Sequence, residues 1–145
     1  YGIKSNHKMR GNKTLEKLVI KEATNLRIHA TKEERDRLNL GTLDGEKTHK
    51  CIYGQMTGSC DSNRANELIV LCAPNIYLAD KEGDIFNGKL GGKPRYTYMV
   101  NRLSFYVSPI EKYIYWNNPK TYFLTRNVEN LVNYIKGNIN ELVFE

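Results

Sequence analysis

Apolar residues at helical spacing constrain the fold of this chain more than any other feature of its sequence. In the clearest case, positions i, i+3, i+4 and i+7 of one segment hold Ala65, Leu68, Ile69 and Cys72. That spacing places the four side chains on one face of a helix. Pro74 ends the helix because proline cannot donate the next backbone hydrogen bond. Either Asp61 or Ser62 can cap its N terminus with a side-chain oxygen.

A second segment with helical spacing runs from Thr14 to Ala30. Its apolar positions are Leu15, Leu18, Val19, Ala23, Leu26 and Ala30. These positions form one face of a helix, and we expect Lys17, Lys21 and Glu22 to lie off that face. The sequence therefore predicts a long amphipathic helix near the start of the chain.

Capping signals predict two more helices. Thr31 and Glu34 have the spacing of a capping box, in which each side chain pairs with a backbone N–H at the helix start. This predicts a helix over Lys32–Asn39. Later in the chain, Asn127 precedes an apolar stripe that ends at Gly137, as expected for a capped helix. The residues of that stripe are Val128, Leu131, Val132 and Ile135.

Between Arg95 and Leu124 the pattern changes to alternation. Aromatic and aliphatic residues recur at every second position in short runs, and Pro109 and Pro119 separate the runs. Such alternation is typical of strands with one buried face. We therefore predict a single α+β domain over residues 14–145, with N-terminal helices, a central helix, an antiparallel aromatic-rich sheet and a C-terminal helix.

Two stretches carry weaker signals. Residues 49–56 are predicted to be extended, and residues 54–61, which contain Gly54 and Gly58, to form a loop before the central helix. The glycine-rich stretch from Asn75 to Pro94 is predicted to be a long surface excursion with a hairpin around Gly83.

Composition narrows the class of protein. The 22 Lys and Arg residues outnumber the 16 Asp and Glu residues, and the net charge of +6 favours weak attraction to polyanions. Residues 1–13 are predicted to form a basic arm in which Lys4, Lys8 and Arg10 contact phosphate. No apolar run approaches the roughly 18 residues of a membrane span, so we expect no membrane partner. The odd number of cysteines, three, indicates reduced thiols and a cytoplasmic protein.

Cysteine chemistry is the first functional hypothesis. Cys60 lies just before the central helix, whose dipole would stabilise a thiolate, and Gln55 precedes it. In papain-like peptidases a glutamine shortly before the cysteine helps to form the oxyanion hole, and the string here is similar but one residue shorter. His49 is the candidate base, although it precedes the cysteine. These residues also offer zinc ligand types, but without the paired spacing of zinc sites, so we predict no metal and no cofactor.

Partner binding is the second hypothesis, and the one we favour. Tyrosines on an open sheet face can stack on bases or pack against a protein, and interleaved cations can contact phosphate. The residues predicted to do so are Arg95, Tyr98, Arg102, Tyr106, Lys112 and Tyr115. The sequence therefore predicts a non-enzymatic binding protein with a protein or nucleic-acid partner. The alternative is a cysteine-dependent enzyme with Cys60 as its nucleophile.

The string from Cys51 to Cys60, Cys-Ile-Tyr-Gly-Gln-Met-Thr-Gly-Ser-Cys, resembles small uncharacterised proteins of bacteriophages and their relatives. The resemblance rests on this one motif and on the first residues of the central helix. It implies a phage or mobile-element origin and a location in the host cytoplasm or the virion. It implies no activity, fold or site.

Overall fold

The computed structural model describes residues 13–43, 47–73, 77–80, 85–86, 104–116 and 122–144, and helices dominate this part of the chain. In chain order the helices are α1 (Lys13–His29), α2 (Lys32–Asp36), α3 (Ile52–Thr57), α4 (Asn63–Cys72), α5 (Pro109–Trp116) and α6 (Tyr122–Ile135), with a 3-10 turn at Leu40–Thr42. Among them, none combines the length and apolarity needed to cross a bilayer.

Helix α1 is the centre of the packing, because α4, α5 and α6 all contact it. Its inner face consists of residues at helical spacing that are almost fully buried: Leu15, Val19, Ala23 and Leu26. This confirms the amphipathic helix that the sequence predicts. The outer face carries Lys17, Lys21 and Ile28, all exposed. The helix is therefore held along one side and open to solvent along the other.

Helix α2 starts at the predicted capping box. The Thr31 hydroxyl accepts the Glu34 backbone N–H at 3.1 Å, and the Glu34 carboxylate accepts the Thr31 N–H at 2.9 Å. The helix ends at Asp36, three residues before the predicted Asn39.

Helix α4 confirms the central helix. Ser62, rather than Asp61, is its cap, and the Ser62 hydroxyl accepts the Ala65 N–H at 3.1 Å. The four residues of the predicted apolar face are buried, with Ile69 and Cys72 among them. Helix α4 therefore packs against α1 as the helical spacing requires.

The predicted α+β fold with an antiparallel aromatic-rich sheet between Arg95 and Leu124 is wrong. Helices α5 and α6 occupy most of the described part of that stretch, and only Ser104–Val107 is extended. Ser108 and Pro109 start a helix instead of separating two strands. The Glu111 carboxylate accepts the Ser108 N–H at 2.8 Å in a capping box, and proline is favoured at the first helical position.

The alternating pattern misled the prediction because its apolar residues also fit a helix. Ile110, Tyr113 and Ile114 stand at positions i, i+3 and i+4 and are buried together in the core. Once Glu111 caps the helix, this face packs against α1.

The strands that the structure describes are β1 (Tyr77–Asp80), β2 (Ile85–Phe86) and β3 (Ser104–Val107). They pair antiparallel in the order β2-β1-β3, with Leu78 opposite Phe86 on one side and Tyr106 on the other. Two of these short strands lie in the stretch that the sequence predicts to be a surface excursion. The sheet contacts the helical core through β3 and α5.

Helix α6 begins at Tyr122, five residues before the predicted cap. Asn127 is instead fully buried inside the helix, where its side-chain amide donates to the Tyr113 hydroxyl at 3.0 Å. The predicted end at Gly137 is confirmed: Gly137 has φ +84°, and the next residue, Asn138, donates its N–H to the Asn133 carbonyl at 2.8 Å.

Candidate functional site

Residues 47–61, the predicted centre of chemistry, fold around one backbone carbonyl. The Thr48 oxygen accepts the Cys60 N–H at 2.7 Å, and the Cys51 thiol lies 3.9 Å from the same oxygen. The backbone of Gly54 in helix α3 approaches the same oxygen closely, since a Cβ at Gly54 would lie 2.0 Å from the Thr48 oxygen. The segment is therefore closely packed and leaves no space for a substrate at this carbonyl.

The extended segment predicted over residues 49–56 is wrong, and the loop predicted over residues 54–61 is wrong at residues 54–57, because Cys51 caps helix α3. Residues 58–61 lie outside any helix or strand, as predicted. The Cys51 sulfur accepts the Gly54 N–H at 3.3 Å, in the way that a serine or threonine oxygen usually does. Gly58 ends the helix with φ +98°. Cysteine is an uncommon cap, so the sequence gives little signal for this helix.

Gln55, the predicted oxyanion-hole residue, binds backbone groups with its whole amide. Its nitrogen donates to the Asn39 carbonyl at 3.1 Å and to the Lys50 carbonyl at 2.9 Å, and its oxygen accepts the Asn39 N–H at 2.7 Å. These bonds join the turn after α2 to the turn before α3.

The other predicted catalytic residues lie in unlike surroundings. Cys60 is buried, with 5% of its surface exposed, whereas His49 is exposed on the turn of residues 48–50. Cys72 is also buried on α4, and burial raises the pKa of its thiol to about 12. All three cysteines lie in the described part of the chain, and none is in a disulfide.

Most of the predicted partner-binding residues lie outside the described part of the chain: Lys4, Lys8, Arg10, Arg95, Tyr98 and Arg102. Tyr106 belongs to strand β3, whereas Tyr115 and Lys112 belong to helix α5. Lys112 is half-buried, and burial lowers the pKa of its ammonium group. Tyr106 therefore belongs to a strand, whereas Lys112 and Tyr115 belong to a helix. These three residues do not form the sheet face that the sequence predicts.

An exposed row of lysines runs along α1. Lys13, Lys17 and Lys21 stand four residues apart and are exposed, and we call them the lysine face. Lys13 lies 3.5 Å from the Glu16 carboxylate, whereas Lys17 and Lys21 form no ion pair with any residue that the structure describes. The helical spacing of the sequence predicts Lys17 and Lys21 off the apolar face, but no sequence motif marks them as a binding site.

The burial of two carboxyl groups was not predicted from the sequence. Glu22 was expected to lie off the apolar face of α1, but it is completely buried beside Tyr53. Glu111 is equally buried and caps two helix starts, accepting N–H groups from Ser108 and Ile52. Two signals could have revealed them: Glu22 lies seven residues after Leu15 on the apolar face, and the string from Ser108 to Glu111 has capping-box spacing.

A shallow groove of about 720 Å³ lies between the turn after α2 and helix α6. Its lining mixes apolar residues such as Leu40 and Val132 with both signs of charge, as at Glu129 and Lys136. Within the described residues, no group of three or more His, Cys, Asp or Glu side chains is placed to hold a metal ion.

Comparison with known protein families, curated protein sequences and solved structures finds no match for this chain. Its function must therefore be inferred from its own residues.

Proposed function

We propose that this chain is a non-enzymatic binding domain that attracts nucleic acid through the lysine face of α1. The observation that carries the proposal is the row of Lys13, Lys17 and Lys21 on the solvent side of a helix whose opposite side is anchored in the core. Phosphate contacts from such a row depend on charge and not on base sequence.

The geometry of the row suits a linear polyanion. Residues four apart on a helix advance about 6 Å along its axis, so three lysines span about 12 Å on a single side. The helix does not bend away from a partner easily, because Val19 and Ala23 on its inner side are fully buried. Lys17 and Lys21 also need not break an ion pair with a described residue before they meet a phosphate.

The sequence that precedes α1 carries further positive charge. The predicted basic arm, with Lys4, Lys8 and Arg10, directly precedes α1 in the sequence. The net charge of +6 favours approach to a polyanion from any direction.

The cysteine-enzyme alternative has less support. A nucleophile must reach its substrate, and the Cys60 thiol is buried with 5% exposure. An oxyanion-hole amide must keep a donor for the reacting oxygen, whereas the Gln55 amide nitrogen already donates to two backbone carbonyls.

The salt dependence of binding tests the proposal. Each phosphate contact contributes about 0.9 to the slope of log K against log salt concentration on duplex DNA. Replacing Lys13, Lys17 and Lys21 together by glutamine should therefore reduce the slope by about 3 and weaken binding at low salt, as measured by fluorescence anisotropy with a labelled duplex of mixed sequence.

A matched control separates the lysine face from net charge. Replacing Lys47, Lys50 and Lys136 by glutamine removes the same three charges from other positions, so both variants carry +3 instead of +6. The control should keep most of the slope. Equal slopes for the two variants, or no binding by the wild-type protein at low salt, would contradict the proposal.

A further inference from the structure

Glu22 joins three helices through one buried carboxyl group. It lies on α1 with no exposed surface. One oxygen accepts the Tyr53 hydroxyl of α3 at 2.5 Å, and the other accepts the Ile110 N–H of α5 at 2.8 Å. The Ser108 hydroxyl also interacts with it. The contacts of this carboxyl group therefore hold α3 and α5 against α1.

The hydrogen bonds to Glu22 offset only part of the cost of burying a negative charge. Helix α3 contributes Tyr53, helix α4 contributes the Cys72 thiol, and helix α5 contributes the second buried carboxyl group, Glu111. On α6, the Tyr134 hydroxyl is hydrogen-bonded to the Thr24 hydroxyl at 2.9 Å. Among the described residues, the hydrogen-bond donors to Glu22 are the uncharged groups of Tyr53, Ile110 and Ser108.

We propose that Glu22 is a proton-controlled latch: its neutral acid holds α1 against α3 and α5, and loss of its proton under alkaline conditions loosens those contacts. An ionised carboxylate in a fully buried site loses its hydration, and the described groups that donate to Glu22 are uncharged. The nearby Glu111 adds repulsion. Water can reach Glu22 only if the helices separate.

The pH range follows from the ionisation of Glu22. Burial raises the pKa of this carboxyl group from 4.5 to about 8. Between pH 4.5 and about pH 8, Glu22 therefore keeps its proton in the folded protein but has lost it in the unfolded chain. The stabilisation is fully present below pH 4.5 and is lost as pH rises to about 8. Across that range the unfolding constant should rise about tenfold per pH unit from this residue alone.

Infrared spectroscopy of the wild-type protein tests the latch directly. At pH 6 the C=O stretching band of a protonated carboxylic acid should be present, and it should disappear with a midpoint near pH 8. Tyr53→Phe removes a hydrogen bond that favours the ionised form of Glu22, so it should move that midpoint to higher pH. Absence of the band at pH 6, or no movement of the midpoint in Tyr53→Phe, would overturn the proposal.

Denaturation and hydrogen exchange test its consequence for the fold. Between pH 5.5 and 8.5 the urea midpoint should fall less in Glu22→Gln than in the wild-type protein. The difference should correspond to the release of about one proton on unfolding. Glu33→Gln, at an exposed acid on α2, is the control and should follow the wild type. The amide of Ile110 should exchange faster above pH 8 in the wild type only, after correction for intrinsic rates. Parallel pH curves for the wild-type protein and Glu22→Gln would refute the latch, and if Glu22→Gln does not fold, the infrared experiment decides.

Discussion

Replacing Gly54 by alanine gives the sharpest test of the packing around residues 47–61. Gly54 lies inside helix α3, where alanine is normally the better helix former by about 1 kcal/mol. From helix propensity alone, Gly54→Ala should therefore stabilise the protein. The tertiary structure predicts the opposite sign.

The expected cost follows from the distances around Gly54. An alanine Cβ would stand 2.0 Å from the Thr48 oxygen, whereas ordinary contacts begin at 3.4 Å. The Thr48 oxygen cannot retreat without losing its 2.7 Å hydrogen bond from Cys60, a loss of about 1 kcal/mol. If α3 retreats instead, the fully buried Ile52 and Met56 leave the core, and such strain costs about 1–3 kcal/mol. Part of each movement is expected, and after subtraction of the gain in helix propensity we expect a net destabilisation of about 2 kcal/mol.

Gly58→Ala is the matched control, because it lies four residues away on the same segment. A Cβ there meets nothing within 4 Å, and the only cost is the positive φ of 98°, about 1–2 kcal/mol. Urea denaturation measures both variants. At a slope of about 2 kcal/mol per molar, Gly54→Ala should lower the midpoint by about 1 M, and Gly58→Ala by about 0.5–1 M. A Gly54→Ala protein as stable as the wild type would refute the close approach of α3 to Thr48.

Two further predictions concern thiols and acid. In the folded protein, the thiols of Cys60 and Cys72 should react with a disulfide reagent at pH 8 at least about 100-fold more slowly than a model thiol, because both cysteines are buried. Unfolding should remove this protection. A thiol that reacts fast in the folded protein would restore the enzyme hypothesis. The Arg64 guanidinium bonds both oxygens of Glu34 and lowers the pKa of that carboxyl from 4.5 to about 2, so its contribution to stability is present above pH 4.5 and is lost as pH falls toward 2. Glu34→Gln should lose less stability than the wild type across that range in circular-dichroism melts, and an identical loss would contradict the role of the pair.

Short-range signals predicted part of the fold correctly. The helical spacing of Ala65 to Cys72, the capping box of Thr31 and Glu34, and the glycine at position 137 each correspond to an observed feature. Each involves residues within one or two helical turns, where local backbone hydrogen bonds and side-chain direction decide the structure.

The errors occurred where one local pattern fits two structures. Tyr113 lies in a run that alternates like a strand and also fits one face of a helix, and burial against α1 together with the Glu111 cap selects the helix. The cap of helix α3 by the Cys51 sulfur was equally invisible, because cysteine is not a usual cap.

The sequence by itself determined where most helices run, the excess of positive charge and the place of Lys17 and Lys21 off the apolar face of α1, since these depend on composition and on spacing along the chain. Only the tertiary structure decided the environment of Glu22, Gly54 and Cys60, because burial is set by segments far away in the sequence. Glu22 meets Ile110 across 88 positions, and its carboxyl group is neutral or charged according to that packing and not according to its neighbours in the chain.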